Sequence, residues 1–316
     1  KLKVLVIGEA IIDQYVFCEA LGKSGKEPVL VLKDVNTEQY LGGALAISRH
    51  LSQFCNNITL LSMLGEKREF FGEINNKLPK NIKFDYIKKK NSPTIIKKRY
   101  LDIVNKNKIL GVYKINDEAL TINEEKLFQS KLNNLLEVHD LVIISDYGHG
   151  LISEKSSQII CRKSKYLALN AQINAANIGL HSMRKYKNID CVIINENEIQ
   201  HELRNKGDTK HLMKKLSKDQ KIKKLVVTRG YSGSVLYENK KKEFVISDAF
   251  AKSAVDKIGA GDAMLSLIAL SLKCGFSNDL ALLISSLAAA YSAETMGNKE
   301  SINKLKILKA LEHLLK

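Results

Sequence analysis

Asp256-Lys257-Ile258-Gly259-Ala260-Gly261-Asp262 runs straight into Ala263-Met264-Leu265-Ser266-Leu267-Ile268-Ala269-Leu270-Ser271-Leu272, an apolar stretch that reads as a buried helix. A Gly-Ala-Gly turn before a helix leaves the first N–H groups unpaired, beside the positive end of the helix dipole. Such a turn suits an anion, and glycines let a phosphate come close to the backbone. The acid that ends the turn repels phosphate and so needs a separate role. Asp262 fits a general base that takes a proton from an attacking hydroxyl, while Gly259, Ala260 and Gly261 hold the charge developing on a phosphoryl group. The same residues also fit an ordinary glycine turn with Asp262 as a helix-start acid, and the stretch alone does not choose between the two.

Two other phosphate loops are excluded. No Gly-x4-Gly-Lys-Ser/Thr run occurs in the sequence, and Met264 stands where a dinucleotide fingerprint needs its third glycine. That fingerprint also belongs after the first strand, far from residue 259.

The rest of the chain bounds the class. Its 316 residues fit one large α/β domain or two smaller ones, and 45% hydrophobic content supports a full core. The apolar residues 3–8 are too few for a signal peptide, and the uncharged stretch 280–293 falls short of a membrane span. Five cysteines without Cys-x-x-Cys spacing (Cys18, Cys55, Cys161, Cys191, Cys274) argue for a reducing cytoplasm and against structural zinc. The formal charge of +16 comes mostly from lysines mixed with Asn and Ile. Runs such as Lys88-Lys89-Lys90 lack a nucleic-acid motif, so no nucleic-acid partner and no membrane is expected. Lys1 in place of Met points to a piece of a longer polypeptide.

Apolar strand-like runs at 4–7, 58–63, 141–145, 166–169, 191–195 and 225–228 alternate with helical patterns at 44–54, 124–136, 210–216, 261–273 and 278–295. Several runs are continuous rather than alternating, as in parallel strands buried on both faces. The expectation is a doubly wound, mostly parallel α/β sheet flanked by helices. Two β-rich segments, about 26–40 and 94–115, break the alternation and predict a small β lid, or an exposed dimer surface. In the second, Ile95, Lys97, Arg99 and Leu101 face one way and Ile96, Lys98 and Tyr100 the other.

With these elements placed, the whole chain resembles the ribokinase-like (phosphofructokinase B) sugar kinases, and within them the kinase domain of the bacterial heptose-7-phosphate kinase/heptose-1-phosphate adenylyltransferases. Six places in order carry the resemblance: Gly8 through Asp13; Ser24 with Pro28; Gly42-Gly43-Ala44; Pro93-Thr94-Ile95 with Lys97 and Arg99; Ser145-Asp146-Tyr147 with Gly150; and a final set of Asn195-Glu196-Asn197-Glu198, Thr228-Arg229-Gly230 with Gly233, and Gly259-Ala260-Gly261-Asp262. The resemblance implies one ribokinase-like kinase domain over residues 1–316, ATP and Mg²⁺, and a homodimer through the lid. A nucleotidyltransferase domain fused in the full-length protein is a further implication. It places the acceptor at Asp13, Gly42, Gly43, Lys97, Arg99, Asp146 and Asn170. It places the nucleotide at Asn195, Glu198, Thr228, Gly230 and Gly233, with Glu198 organising magnesium through water.

Departures fall on the acceptor side. Ala46 replaces the family's asparagine after the paired glycines, His149 replaces the heptose kinases' lysine after Asp-Tyr, and Asn170-Ala171-Gln172 replaces their Asp-Pro-Lys. Ile258 also stands where the family has a small hydroxyl residue. Whether Asn170, Gln172 and Asn174 line a polar pocket or rebuild a loop stays open. The expected activity is phosphoryl transfer from ATP to a hydroxyl of a sugar or sugar phosphate. A kinase of another acceptor, such as fructose phosphate or a nucleoside, and a non-catalytic sugar or nucleotide binder are the alternatives.

Overall fold

A computed structural model describes residues 2–174, 176–179, 181–251 and 254–314. In chain order the strands are β1 (Lys3–Gly8), β2 (Ala10–Lys23), β3 (Leu30–Gly43), β4 (Asn57–Gly65), β5 (Ile82–Lys89), β6 (Ile95–Asp102), β7 (Lys108–Lys114), β8 (Leu141–Asp146), β9 (Leu167–Ala171), β10 (Cys191–Asn195), β11 (Lys224–Thr228), β12 (Ser234–Glu238) and β13 (Glu243–Ser247). The helices are α1 (Ala44–Leu51), α2 (Phe71–Lys77), α3 (Ile122–Val138), α4 (Glu154–Lys163), α5 (Glu196–Leu203), α6 (Thr209–Asp219), α7 (Ala260–Lys273), α8 (Asn278–Ala293) and α9 (Lys304–Leu314).

Nine strands form one sheet in the order β13-β12-β11-β10-β9-β8-β1-β4-β5. It is parallel from β5 to β11, and the β12–β13 hairpin closes it antiparallel. The continuous apolar runs of the sequence are the central strands, covered on both faces as parallel sheets require. Side chains alternate between the faces, so one strand feeds two cores. In β1, Leu5 and Ile7 pack with α3 and α6 residues such as Phe128, Leu132 and Leu212. Val4 and Val6 join Leu45, Met264, Leu265 and Ile268 of α1 and α7 on the other face.

A second sheet, ordered β3-β2-β6-β7, is the lid. The two segments expected there are β3 and the β6–β7 hairpin, but the lid also contains a long strand that the sequence reading missed. Only Glu9 separates β1 from β2, so the chain leaves the large sheet and enters the lid within one residue. Asp13 therefore sits inside lid strand β2, not at the carboxyl end of a strand in the large sheet.

Candidate active site

The glycine turn stands directly before α7. Gly259 caps α7 in the left-handed region, φ 90°, and offers no side-chain cap, so the first-turn N–H groups of α7 face a cleft. An added Cβ at Gly259 would also collide with Asn298 Oδ1. Gly261, in contrast, is helical and faces open space, so the conformational demand lies on Gly259. The cleft measures about 660 Å³ and lies between the large sheet and the lid.

Asp262, in the first turn of α7, is partly exposed at this cleft, and its Oδ1 accepts a 2.9 Å hydrogen bond from the Tyr147 hydroxyl. Burial among low-dielectric walls pushes its pKa up to about 7. Asp13 adds to the rise, while Tyr147 and Lys97 oppose it. A carboxyl poised there accepts a proton readily near neutral pH.

The lid supplies the facing wall through its strand register. Asp13 on β2 pairs with Lys97 on β6, which pairs with Tyr113 on β7. One step along, Tyr15 pairs with Arg99. Lys97 and Arg99 share the inward face, as their alternation predicts, and both line the cleft. Arg99 Nη1 lies 2.6 Å from Asp13 Oδ1, and its guanidinium stacks 5.6 Å from the Tyr15 ring centre. Lys97 is 6% exposed and stands over the rings of Tyr147 (5.0 Å) and Tyr113 (5.7 Å). Burial lowers its pKa, with Asp13 opposing. Among the described residues no carboxylate lies within ion-pair distance of Lys97 Nζ, whereas Arg99 is already paired with Asp13. Of the two cations, Lys97 is therefore the one left open to an incoming anion.

On the opposite side, Asn195, Glu198, Thr228, Gly230 and Gly233 all line the cleft. Asn195 also caps α5 through a reciprocal box, its Oδ1 accepting from Glu198 N (2.8 Å) and Glu198 Oε2 from Asn195 N (2.7 Å). The cap and the cleft position are therefore held by one set of bonds. Gly233 has a second reason to be glycine, since a Cβ would strike the Ser247 carbonyl of the neighbouring strand.

Several sequence expectations need correction. Asp146 does not reach the cleft. It is 1% exposed, bound by Lys185 Nζ and the Tyr186 hydroxyl at 2.7 Å each and by Gly148 N at 3.0 Å. Burial raises its pKa, but Lys185 and His181 outweigh this and hold it below the usual carboxylate range. Gly42 sits behind Asp13, where a Cβ would collide with the carboxylate, and only Gly43 faces the cleft. Ala46 is buried in α1 and His149 is buried with its Nδ1 on Asp117 (2.6 Å), and neither lines the cleft. Asn170, Gln172 and Asn174 do line the cleft. Tyr147 and Tyr113 were missed, although Tyr147 adjoins Asp146 in a quoted motif.

The donor set for magnesium is sparse. No group of three or more His, Cys, Asp or Glu among the described residues is arranged to hold a metal ion. Both Glu198 oxygens accept backbone N–H groups, from Asn195 (2.7 Å) and Ile173 (3.3 Å), and burial pushes its pKa up to about 7. These residues fit an ion that keeps its waters and substrate phosphates, with Glu198 bonded through water, as Mg²⁺ prefers. A second cavity of about 410 Å³, lined mainly by apolar side chains such as Phe54, Leu267 and Leu308, lies by the far half of α7, away from these groups.

Comparison with known proteins identifies the family and the fold. The pfkB family carbohydrate kinase model matches residues 1–305. The chain belongs to that family. It is accordingly a phosphotransferase that uses a hydroxyl acceptor. It is 25% identical over 304 residues to the bifunctional protein HldE of Campylobacter jejuni, covering 94% of this chain and 62% of that protein. The Campylobacter concisus protein of the same name is 29% identical over 307 residues, again with 94% and 62% covered. The chain thus spans somewhat under two thirds of these relatives. Its fold matches phosphofructokinase-2 from Escherichia coli with a TM-score of 0.78 at 14% identity, over 100% of both chains. It matches Arabidopsis thaliana ribokinase, solved with ribose and ATP, with a TM-score of 0.69 at 17% identity, over 98% and 99%. Among the described residues no helix is long and apolar enough to cross a membrane.

Proposed function

We propose that this chain transfers the terminal phosphoryl group of ATP to a hydroxyl of a sugar phosphate, with Asp262 as the base. The observation that carries the reading is the placement of Asp262 on the first turn of α7. One carboxylate thereby sits beside unpaired amides on one side and faces the Asp13–Lys97 row of the lid on the other. Asp262 takes the acceptor proton, and the N–H groups of the 259–262 turn meet charge on the transferring phosphoryl group, donors that need no reorganisation during the step. Asp13, held by Arg99, is positioned to accept hydrogen bonds from sugar hydroxyls. Lys97, a buried cation without a carboxylate partner among the described residues, favours an acceptor that brings its own anion. Magnesium, held through Glu198 and the nucleotide's phosphates, would neutralise phosphate charge.

The lid exposes Leu30, Val31 and Val35 on β3 and Leu110 and Val112 on β7. An apolar surface of that kind marks an interaction face, which supports a homodimer through the lid. The relatives are named bifunctional and extend beyond the length matched here, which supports a second, nucleotidyltransferase-type domain in the full-length polypeptide. A cytoplasmic location rests on the unpaired cysteine pattern.

The deciding experiment is a kinase screen with Mg-ATP over heptose and hexose phosphates and their unphosphorylated counterparts, run beside Asp262→Asn. The expected result is turnover with phosphorylated sugars and a loss of about 10²–10⁴ in the variant, with ATP still bound. Turnover retained in Asp262→Asn overturns the base assignment. Equal activity on the unphosphorylated sugars overturns the anionic acceptor. Since Ala46 and His149 do not line the cleft, any shift of the acceptor away from heptose 7-phosphate rests on Asn170, Gln172 and Asn174, and the same screen answers it.

A further inference from the structure

We infer that Tyr147 is a positioning residue for the base: its hydroxyl fixes which lone pair of Asp262 meets the acceptor, and the asparagine-rich segment after β9 holds Tyr147 in place. This rests on the reading of Asp262 given above. The evidence is the way the tyrosine is anchored. Its side chain is 5% exposed and its one polar atom donates to Asp262 Oδ1 at 2.9 Å. Its amide donates to Glu9 Oε2 at 3.0 Å. Its carbonyl accepts from Asn174 Nδ2 (2.9 Å) and from Asn177 Nδ2 (2.8 Å). Three side chains from two distant parts of the chain are thus spent on the backbone of one residue. Asn177 is itself buried, and its Oδ1 accepts from Asn174 N at 2.8 Å, so the two asparagines brace each other. Asn174 and Asn177 belong to the sequence that follows the Asn170-Ala171-Gln172 departure, and their amide groups answer what that segment does.

The chemistry follows from the bond. A phenol donating to Oδ1 leaves Oδ2 as the oxygen open to an acceptor hydroxyl, and it stabilises the carboxylate over the carboxylic acid. The other groups acting on Asp262 are Asp13 from β2, with Arg99 paired to it, and Lys97 from β6. Lys97 also rests on the Tyr147 ring, so the same side chain aligns the base and backs the cation. Loss of the hydroxyl removes a charge-assisted hydrogen bond while leaving the ring as the platform under Lys97.

The test is Tyr147→Phe, with pH profiles of kcat/KM for the acceptor measured beside Asp262→Asn. The acid limb is expected to move up by roughly one pH unit, since a hydrogen bond to a charged group is worth about that much in protonation equilibrium. The rate near pH 7 then falls several-fold and recovers at alkaline pH, with KM for ATP unchanged. Asn177→Ala, which loosens the support without touching the site, is expected to shift the limb the same way by less. An unmoved acid limb in Tyr147→Phe, with Asp262→Asn inactive, overturns the positioning role and leaves the base intact. An active Asp262→Asn instead overturns the base reading itself. Should Tyr147→Phe prove unstable, an unmoved limb in a folded Asn177→Ala refutes the support.

Discussion

Gly261→Ala separates stability from catalysis in a direction opposite to most glycine substitutions. Gly261 is the second residue of α7, its φ is not positive, and an added Cβ meets nothing within 4 Å. Alanine costs less backbone entropy than glycine in a helix, by up to about 1 kcal/mol, and a first-turn position takes the lower part of that range. For a chain of this size the melting temperature should stay level or rise by about 1–3 °C. Gly261 lines the cleft, so the methyl enters it beside the amides proposed to meet the phosphoryl group. Losing one such donor costs about 10²–10³ in kcat. Thermal unfolding by circular dichroism and steady-state ADP release measure both effects. Gly259→Ala is the control, because φ 90° and Asn298 make it strained, and it should lose stability and activity together. Activity of Gly261→Ala within about three-fold of wild type would show that this turn does not touch the transferring group. A clear drop in melting temperature would refute the claim that the position is open.

Because the Asp262 pKa is raised to about 7, the base is protonated below that pH, and kcat/KM should fall tenfold per unit as pH drops beneath it; a flat profile from pH 5 to 8 counts against the assignment. Arg99→Ala strips the buried Asp13 of its 2.6 Å partner, so KM for the acceptor should rise far more than KM for ATP, and Arg99→Lys should not restore it, lacking the fork and the stack on Tyr15. An equal rise for both substrates leaves the pair a structural role. Leu110→Lys with Val112→Lys should shift the protein to monomer by light scattering if the exposed lid face is the dimer surface; an unchanged mass places that surface elsewhere.

The large sheet was legible because its central strands are continuous apolar runs, a pattern forced by burial on both faces. The lid was only half legible. Residues 95–101 alternate and gave the face of Lys97 and Arg99 correctly, but β2 begins one residue after β1 and shares its apolar character through Ile12. Nothing local marks the point where the chain changes sheets, and so β2 was missed, although Asp13, which it carries, does line the cleft. Asp146 failed for another reason. It ends a central strand two residues before a glycine, as a ligand-binding acid would, yet Lys185 pairs with it and the Tyr186 hydroxyl donates to it from some forty residues on. Charge pairing across that distance has no signature in sequence. The cleft residues of the 259–262 turn and of α5 were legible because capping and glycine turns are local chemistry that tertiary structure leaves in place.

The proposed transfer draws on two sheets, since Asp262 and the turn amides ride on α7 while Asp13 and Lys97 ride on the lid. One buried carboxylate joins them. Asp256 lies six residues before Asp262 and is 4% exposed. It accepts from the Tyr15 hydroxyl on β2 (2.8 Å) and from Lys108 Nζ on β7 (2.5 Å). It also accepts from Ile258 N (3.1 Å) and Gly297 N (3.2 Å) beside the turn. Tyr15 is two residues from Asp13 on the same face and carries Arg99 on its ring. A displacement of β2 is therefore felt at once by the acceptor groups and by the start of the glycine turn. Asp256 thus ties β2 of the lid, part-way along its length, and β7, at its first residue, to the start of the glycine turn before α7.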